Sequence, residues 1–182
     1  MNRPTLFLAL SLAVLPAASQ SPYAGQESRE LKALSAEDVT GYLEGRGMGF
    51  AKSAELNGLP APMHVLELAQ PLGLSEAQRE ATRRLLDRHK AEARTLDRDY
   101  IDAERALERL MASGKAEAAA VAAATAHATE RQGLVRAAHL TTHVDQTALL
   151  TASQVRKYME LRGYANGAPA TLGTEPAHRH TH

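Results

Sequence analysis

The sequence predicts an all-α protein, an elongated antiparallel helical hairpin with short flanking helices. Three observations predict it. Ala and Leu dominate beside Glu, Arg and Lys, aromatic residues make up 4%, Trp is absent and Ile101 is the only Ile. That composition favours helix over sheet. From Ser75 to about Met111 apolar residues recur at three- and four-residue steps with no proline between them. Finally, Leu74-Ser75-Glu76-Ala77-Gln78 and Leu150-Thr151-Ala152-Ser153-Gln154 read alike, and each carries a helix-start signature.

The ends come first. Arg3, the apolar run from Leu6 to Leu15, Pro16 and the small residues through Ser19 read as a secretory signal over residues 1–19. The run is too short to span a bilayer, which needs about 20 apolar residues. Periplasmic export is the expected address. Residues 20–34, with Pro22 and Gly25, form a flexible lead-in, and residues 35–164 form the helical domain. The last stretch, 165–182, is rich in Gly, Pro, Thr and His and reads as a disordered tail. The chain has no cysteine. It therefore carries no disulfide, thiolate metal site or lipid-attachment thiol.

Within the domain, Ser35 followed by Glu37 and Asp38 starts a first helix, which fades through Gly45, Gly47 and Gly49. Asn57 to Pro62 is a break, and Pro62 opens a short helix ended by Pro71 and Gly73. The long helix from Ser75 carries Leu85, Leu86, His89, Leu96, Tyr100, Ala103, Leu107 and Leu110 on one stripe. Glu80 with Arg84, Arg83 with Asp87 and Arg98 with Asp102 are candidate ion pairs on the other face. Gly114 suits a left-handed cap at the turn. The return helix, about Ala116 to Leu149, has Val121, Ala128, Val135, Thr142 and Leu149 at seven-residue intervals, as a packing seam requires. A last helix starts at Thr151. A short turn forces the two long helices antiparallel. Centred on Gly114, facing residue numbers sum to about 228, which puts both capping motifs at one end of the hairpin.

In each motif the Ser or Thr hydroxyl accepts from the N3 amide while the Gln reaches back to the cap amide. Leu150 and Val155 add a hydrophobic staple to the second copy. The pair resembles the repeated L-T-x-x-Q motif of the Spy/CpxP family of small periplasmic helical proteins, which includes CnrX- and ZraP-like metal-sensing and zinc-binding relatives. The first copy has Ser75 in place of Thr, which keeps the capping hydroxyl. The resemblance covers roughly residues 35–164. It implies a homodimer of hairpins forming a cradle, and ATP-independent holding of unfolded client proteins.

The hairpin register also yields a candidate metal site. His89 faces position 139, which is His139, and His143 lies one turn further on the same face. An i, i+4 histidine pair can direct two imidazoles at one ion. His89 is the third candidate ligand by register, and Glu92 is a candidate oxygen ligand. Such a set suits divalent Zn, Ni, Co or Cu. The alternative for each His is a hydrogen-bonded core residue, with Thr142 and Gln146 as partners. CnrX-like relatives draw ligands from their first helix and from a pair four apart on a later one. His64, with Glu67, is similar to the former in kind and His139 with His143 to the latter, although the first-helix histidine pair of those sensors is not present. If the short helix packs back along the long one, His64 sits opposite about residue 82, some 10 Å from His89 along the axis at 1.5 Å per residue, and misses the central site unless a second subunit supplies it. His127 has no partner, and His178, His180 and His182 in the tail can chelate loosely.

Formal charge is zero, so nothing favours nucleic acid as a partner. Gly45 to Gly49 lacks the preceding strand and the Lys-Ser/Thr of a phosphate loop. No nucleophile–base–orienter set exists, so no catalytic residue is expected. Two functions lead, beside the blander reading of a structural envelope protein with neither activity. One is a periplasmic stress or metal-tolerance accessory protein, a Spy/CpxP-like chaperone modulated by a divalent ion. The other is a CnrX-like heavy-metal sensor signalling to a membrane-bound regulatory partner.

Overall fold

The computed structural model describes residues 21–164. The proposed signal segment and the His-containing tail lie outside the described residues. Six helices follow in order: α1 Ala36–Leu43, α2 Lys52–Leu56, α3 Pro62–Glu67, α4 Glu76–Ala112, α5 Ala118–Ala148 and α6 Ala152–Leu161. There is no strand among the described residues. α4 and α5 form the expected antiparallel hairpin, and Gly114 takes the turn at φ 66°. α4 has 37 residues, so it is about 55 Å long.

The helix starts follow local chemistry. Ser35, Ser75 and Thr151 are all N-caps with complete capping boxes, closed by Asp38, Gln78 and Gln154 respectively. Pro62 occupies the first turn of α3. α1 ends where Gly45, at φ 71°, lets its own amide and that of Arg46 turn back to Tyr42 and Gly41. α2 lies in a stretch whose sequence has no period long enough to announce a five-residue helix. Of the three ion pairs expected on α4, Glu80 and Arg84 meet at 2.7 Å. Arg83 turns instead to Glu76 and Asp102 to Arg105, because side chains this exposed choose among several partners at small energy difference.

The register matches the arithmetic. His89 meets His139, and Thr82 meets Gln146. At the motif end, the two capping glutamines exchange a reciprocal pair of amide bonds, Gln78 Nε2 to Gln154 Oε1 at 2.8 Å and the reverse at 3.0 Å. Each Oε1 also accepts from its own cap amide, and Gln78 Nε2 reaches the Leu149 carbonyl. The two motifs are thus one cross-linked unit tying the start of α4 to the start of α6. Gln78→Ala and Gln154→Ala are each expected to cost about 1–2 kcal/mol, and the double variant less than their sum, because one exchange is lost in either. Urea melts of the four proteins check this. Strict additivity would show the caps to be independent.

Two apolar clusters hold the structure. Val65, Ala69, Leu72, Leu74, Tyr158 and Met159 close the motif end. Leu31, Tyr42, Tyr100, Ile101 and Val135 pack midway along the hairpin. The expected loose lead-in is tied down here: Leu31 is 3% exposed, and Glu30 and Lys32 pair with Arg105 and Glu108. Between the clusters the seam turns polar, with Thr82, His139, Thr142, His143 and Gln146 all buried, while Asp97 is buried at the level of the second cluster.

Candidate metal centre

The polar seam is built on the period of α5. His139, Thr142, His143 and Gln146 fall at three- and four-residue steps, so their side chains share one face turned into the hairpin. α4 supplies Thr82 and His89 opposite them. From the other side, the chain between α1 and α3 folds over the face. Gly47 lies against the His139 ring, so close that a Cβ there would stand 3.4 Å from Cε1. Leu59 and Glu55 cover His143.

The hydrogen bonds assign the protons. Thr142 Oγ1 donates to the Ala138 carbonyl at 2.8 Å, and a carbonyl can only accept. Thr142 Oγ1 must then accept from His89 Nδ1–H, 3.0 Å away. Neutral His89 keeps a lone pair on Nε2, which accepts from His139 Nδ1–H at 3.0 Å. His139 is left with an unprotonated Nε2 that is buried and has no partner. His143 Nδ1–H donates to the Leu59 carbonyl at 2.8 Å, which directs the lone pair of its neutral ring to Nε2. Both members of the i, i+4 pair therefore present Nε2, each held by a hydrogen bond at Nδ1. Metal-bound histidines have that arrangement.

Electrostatics keeps two of the rings neutral. Burial, then the neighbouring His89 and His143, holds His139 down to about 4. Burial also lowers His89, against the opposing charge of Glu92. Protons therefore compete less with a cation for these imidazole lone pairs.

The sequence-derived candidates are distributed unevenly. His89, His139 and His143 come together as the register requires. Glu92 is exposed and acts on His89 only through its charge. His64 is bonded to Glu67 at 2.8 Å. His127 is exposed beside Glu130. Among the described residues, no three His, Asp or Glu side chains converge as placed on a point that one ion would occupy. His89 in particular has both ring nitrogens engaged. Glu55 was not foreseen. It is 12% exposed at the side chain, and its Oε2, buried without a partner, stands 3.9 Å from His143 Nδ1. It sits in a five-residue helix after a glycine-rich loop, and no spacing rule brings such a segment to a position 88 residues later.

The described residues thus form an all-helical hairpin with paired capping motifs and a buried histidine seam. The chain belongs to the heavy-metal resistance family, whose model matches residues 47–157 and which contains the CnrX-, ZraP- and Spy-like L-T-x-x-Q proteins. No curated protein and no solved structure matches the chain. No described helix is long and apolar enough to cross a membrane.

Proposed function

We propose that this is an exported metal-tolerance protein that binds one late-first-row divalent ion between His139 and His143. The observation that carries the reading is the buried, partnerless lone pair of His139 Nε2, one turn from a second imidazole fixed in the same tautomer. Burying an acceptor without a partner costs about 1–3 kcal/mol, a cost that an ion at that atom removes. His89 is the third ligand. It reaches the ion by giving up its bond to His139, which leaves the buried His139 Nδ1–H without an acceptor at a cost of about 1–3 kcal/mol. Binding energies of protein zinc sites, about 10–16 kcal/mol for structural ones, outweigh that readily. Glu92 and His64 have no part in this site.

A chaperone role is the second reading, and one surface favours it. Leu134, Ala137, Thr141, Val144 and Ala148 form an exposed stripe on the outer face of α5 at three- and four-residue steps. Such a mixed apolar stripe suits either unfolded clients or a second copy of the chain. A metal sensor reporting to a membrane partner would need the same ion site but not the stripe.

Titration calorimetry with Zn, Ni, Co and Cu tests the site, using the exported chain with His178, His180 and His182 replaced by alanine so that the tail cannot mimic it. One ion per chain is expected, and His139→Ala with His143→Ala should abolish uptake. Unchanged uptake in that double variant would sink the reading. Suppression of client aggregation in the absence of metal, followed by light scattering, would then carry the chaperone role alone.

A further inference from the structure

We infer that Tyr158, with Arg162 and Tyr164, positions Glu55 behind His143, so that the last helix sets the metal affinity of a site it never touches. The inference rests on the proposed ion site and deepens it.

Glu55 is held asymmetrically. Its Oε1 accepts from the Tyr158 hydroxyl at 2.7 Å, from Arg162 Nε at 3.3 Å and from the Tyr164 hydroxyl at 3.3 Å. All three donors come from α6 and the residues just beyond it. Its Oε2 has no partner and faces the Nδ1 side of His143. Three donors on one oxygen leave the carboxylate a single orientation, and that orientation aims the free oxygen at the histidine. Tyr158 is itself pinned, fully buried, with the Ala61 amide donating to its hydroxyl at 3.3 Å.

The ion pair with Arg162 at 3.3 Å accounts for Oε1 but leaves Oε2 buried without a partner. A buried tyrosine hydroxyl needs an acceptor, but a carbonyl or an amide oxygen would serve without burying a charge. A carboxylate with one oxygen left unpaired is the costlier choice. It becomes favourable when His143 Nε2 binds a cation. The ring then carries positive charge, its Nδ1–H becomes a stronger donor, and an anion on that side strengthens the ligand. Carboxylate or carbonyl partners behind metal-bound imidazoles work in this way, and their loss costs about 10–100-fold in affinity. Leu59 supplies the carbonyl and Glu55 the nearby charge.

The test is zinc affinity by calorimetry alongside the melting temperature of the metal-free chain, again with the tail histidines replaced. Glu55→Gln is expected to weaken zinc binding about tenfold or more, and Tyr158→Phe several-fold to tenfold. Tyr158→Phe keeps the ring in the core. If its metal-free form nonetheless fails to fold, Tyr164→Phe, at a half-buried position, takes its place with a several-fold loss expected. The double variant Glu55→Gln, Tyr158→Phe should bind no more weakly than Glu55→Gln alone, since the tyrosine acts only through the carboxylate. Gln154→Ala, which loosens the start of α6 without touching Glu55, should lower the melting temperature and leave affinity unchanged. Zinc binding that survives Glu55→Gln or the tyrosine variants unaltered overturns the inference while the ion site stands. Losses that multiply in the double variant overturn it too. Absence of zinc uptake by the unsubstituted site would remove both.

Discussion

Replacing Asp97 by asparagine is expected to stabilise the metal-free protein by about 2–3 kcal/mol at pH 7 and by almost nothing at pH 4. Asp97 is 2% exposed on the inner face of α4, between the turns that carry Ala93 and Ile101. Burial alone pushes its carboxyl up to about 6 from the ordinary 3.8. In the unfolded chain it ionises near 3.9. Between about pH 4 and 6 the folded state therefore binds more protons than the unfolded one. Stability falls as pH rises through that window, and above it the full cost of a buried charge is present. A shift of about two units corresponds to about 3 kcal/mol at 1.36 kcal/mol per unit. Asparagine has no charge to bury and escapes that cost. Urea melts at pH 4 and pH 7 decide the matter. Equal effects of the substitution at the two pH values would show that folding does not raise the Asp97 carboxyl, and destabilisation at pH 7 alone would show that its charged form is stabilised.

His139 works with the opposite sign. Its folded pKa, about 4, lies below the unfolded value near 6.5, so the unfolded state binds more protons between the two. Its contribution is intact above pH 6.5 and is lost progressively as pH falls to about 4, by about 3 kcal/mol in total. His89, also lowered by burial, adds in the same sense. In the parent protein the gain from protonating Asp97 offsets this loss over much of the same range, and the two together give a shallow acid profile. The Asp97→Asn background should expose the full slope, and His139→Gln in that background should flatten it again. Stability measured in half-unit steps from pH 7 to pH 4 checks both. A background variant as shallow as the parent would mean that His139 is not buried neutral. Bound metal steepens the loss further, because protons then displace the ion.

The two effects share an origin that also explains how much was legible beforehand. Helix existence, the turn and the register came from local rules acting within one element or across one short connection. Ser75, Thr151, Pro62 and Gly114 each sit where backbone geometry needs that residue type, and the seven-residue interval from Ala128 through Thr142 marks the buried seam. Two rigid helices joined by a tight turn have one alignment, and so His89 had to meet His139. Asp97 could have been read the same way. It lies eight residues after His89 and four after the buried Ala93, on the inward face, where a carboxylate is costly enough to be noticed.

By itself, then, the sequence determined the helical class, the capped starts of α4 and α6, and the meeting of the histidines. Only the tertiary structure decided what surrounds them. That Gly47 covers His139, that Leu59 takes the proton side of His143, and that Glu55 is gripped from α6 all depend on the path of the irregular segment between α1 and α3. The same holds for Leu31, which anchors a lead-in that reads as loose. Periodicity constrains a residue's face, because a helix repeats its geometry at every turn. A loop repeats nothing, and its side chains find their partners only when the packed elements around them leave one route.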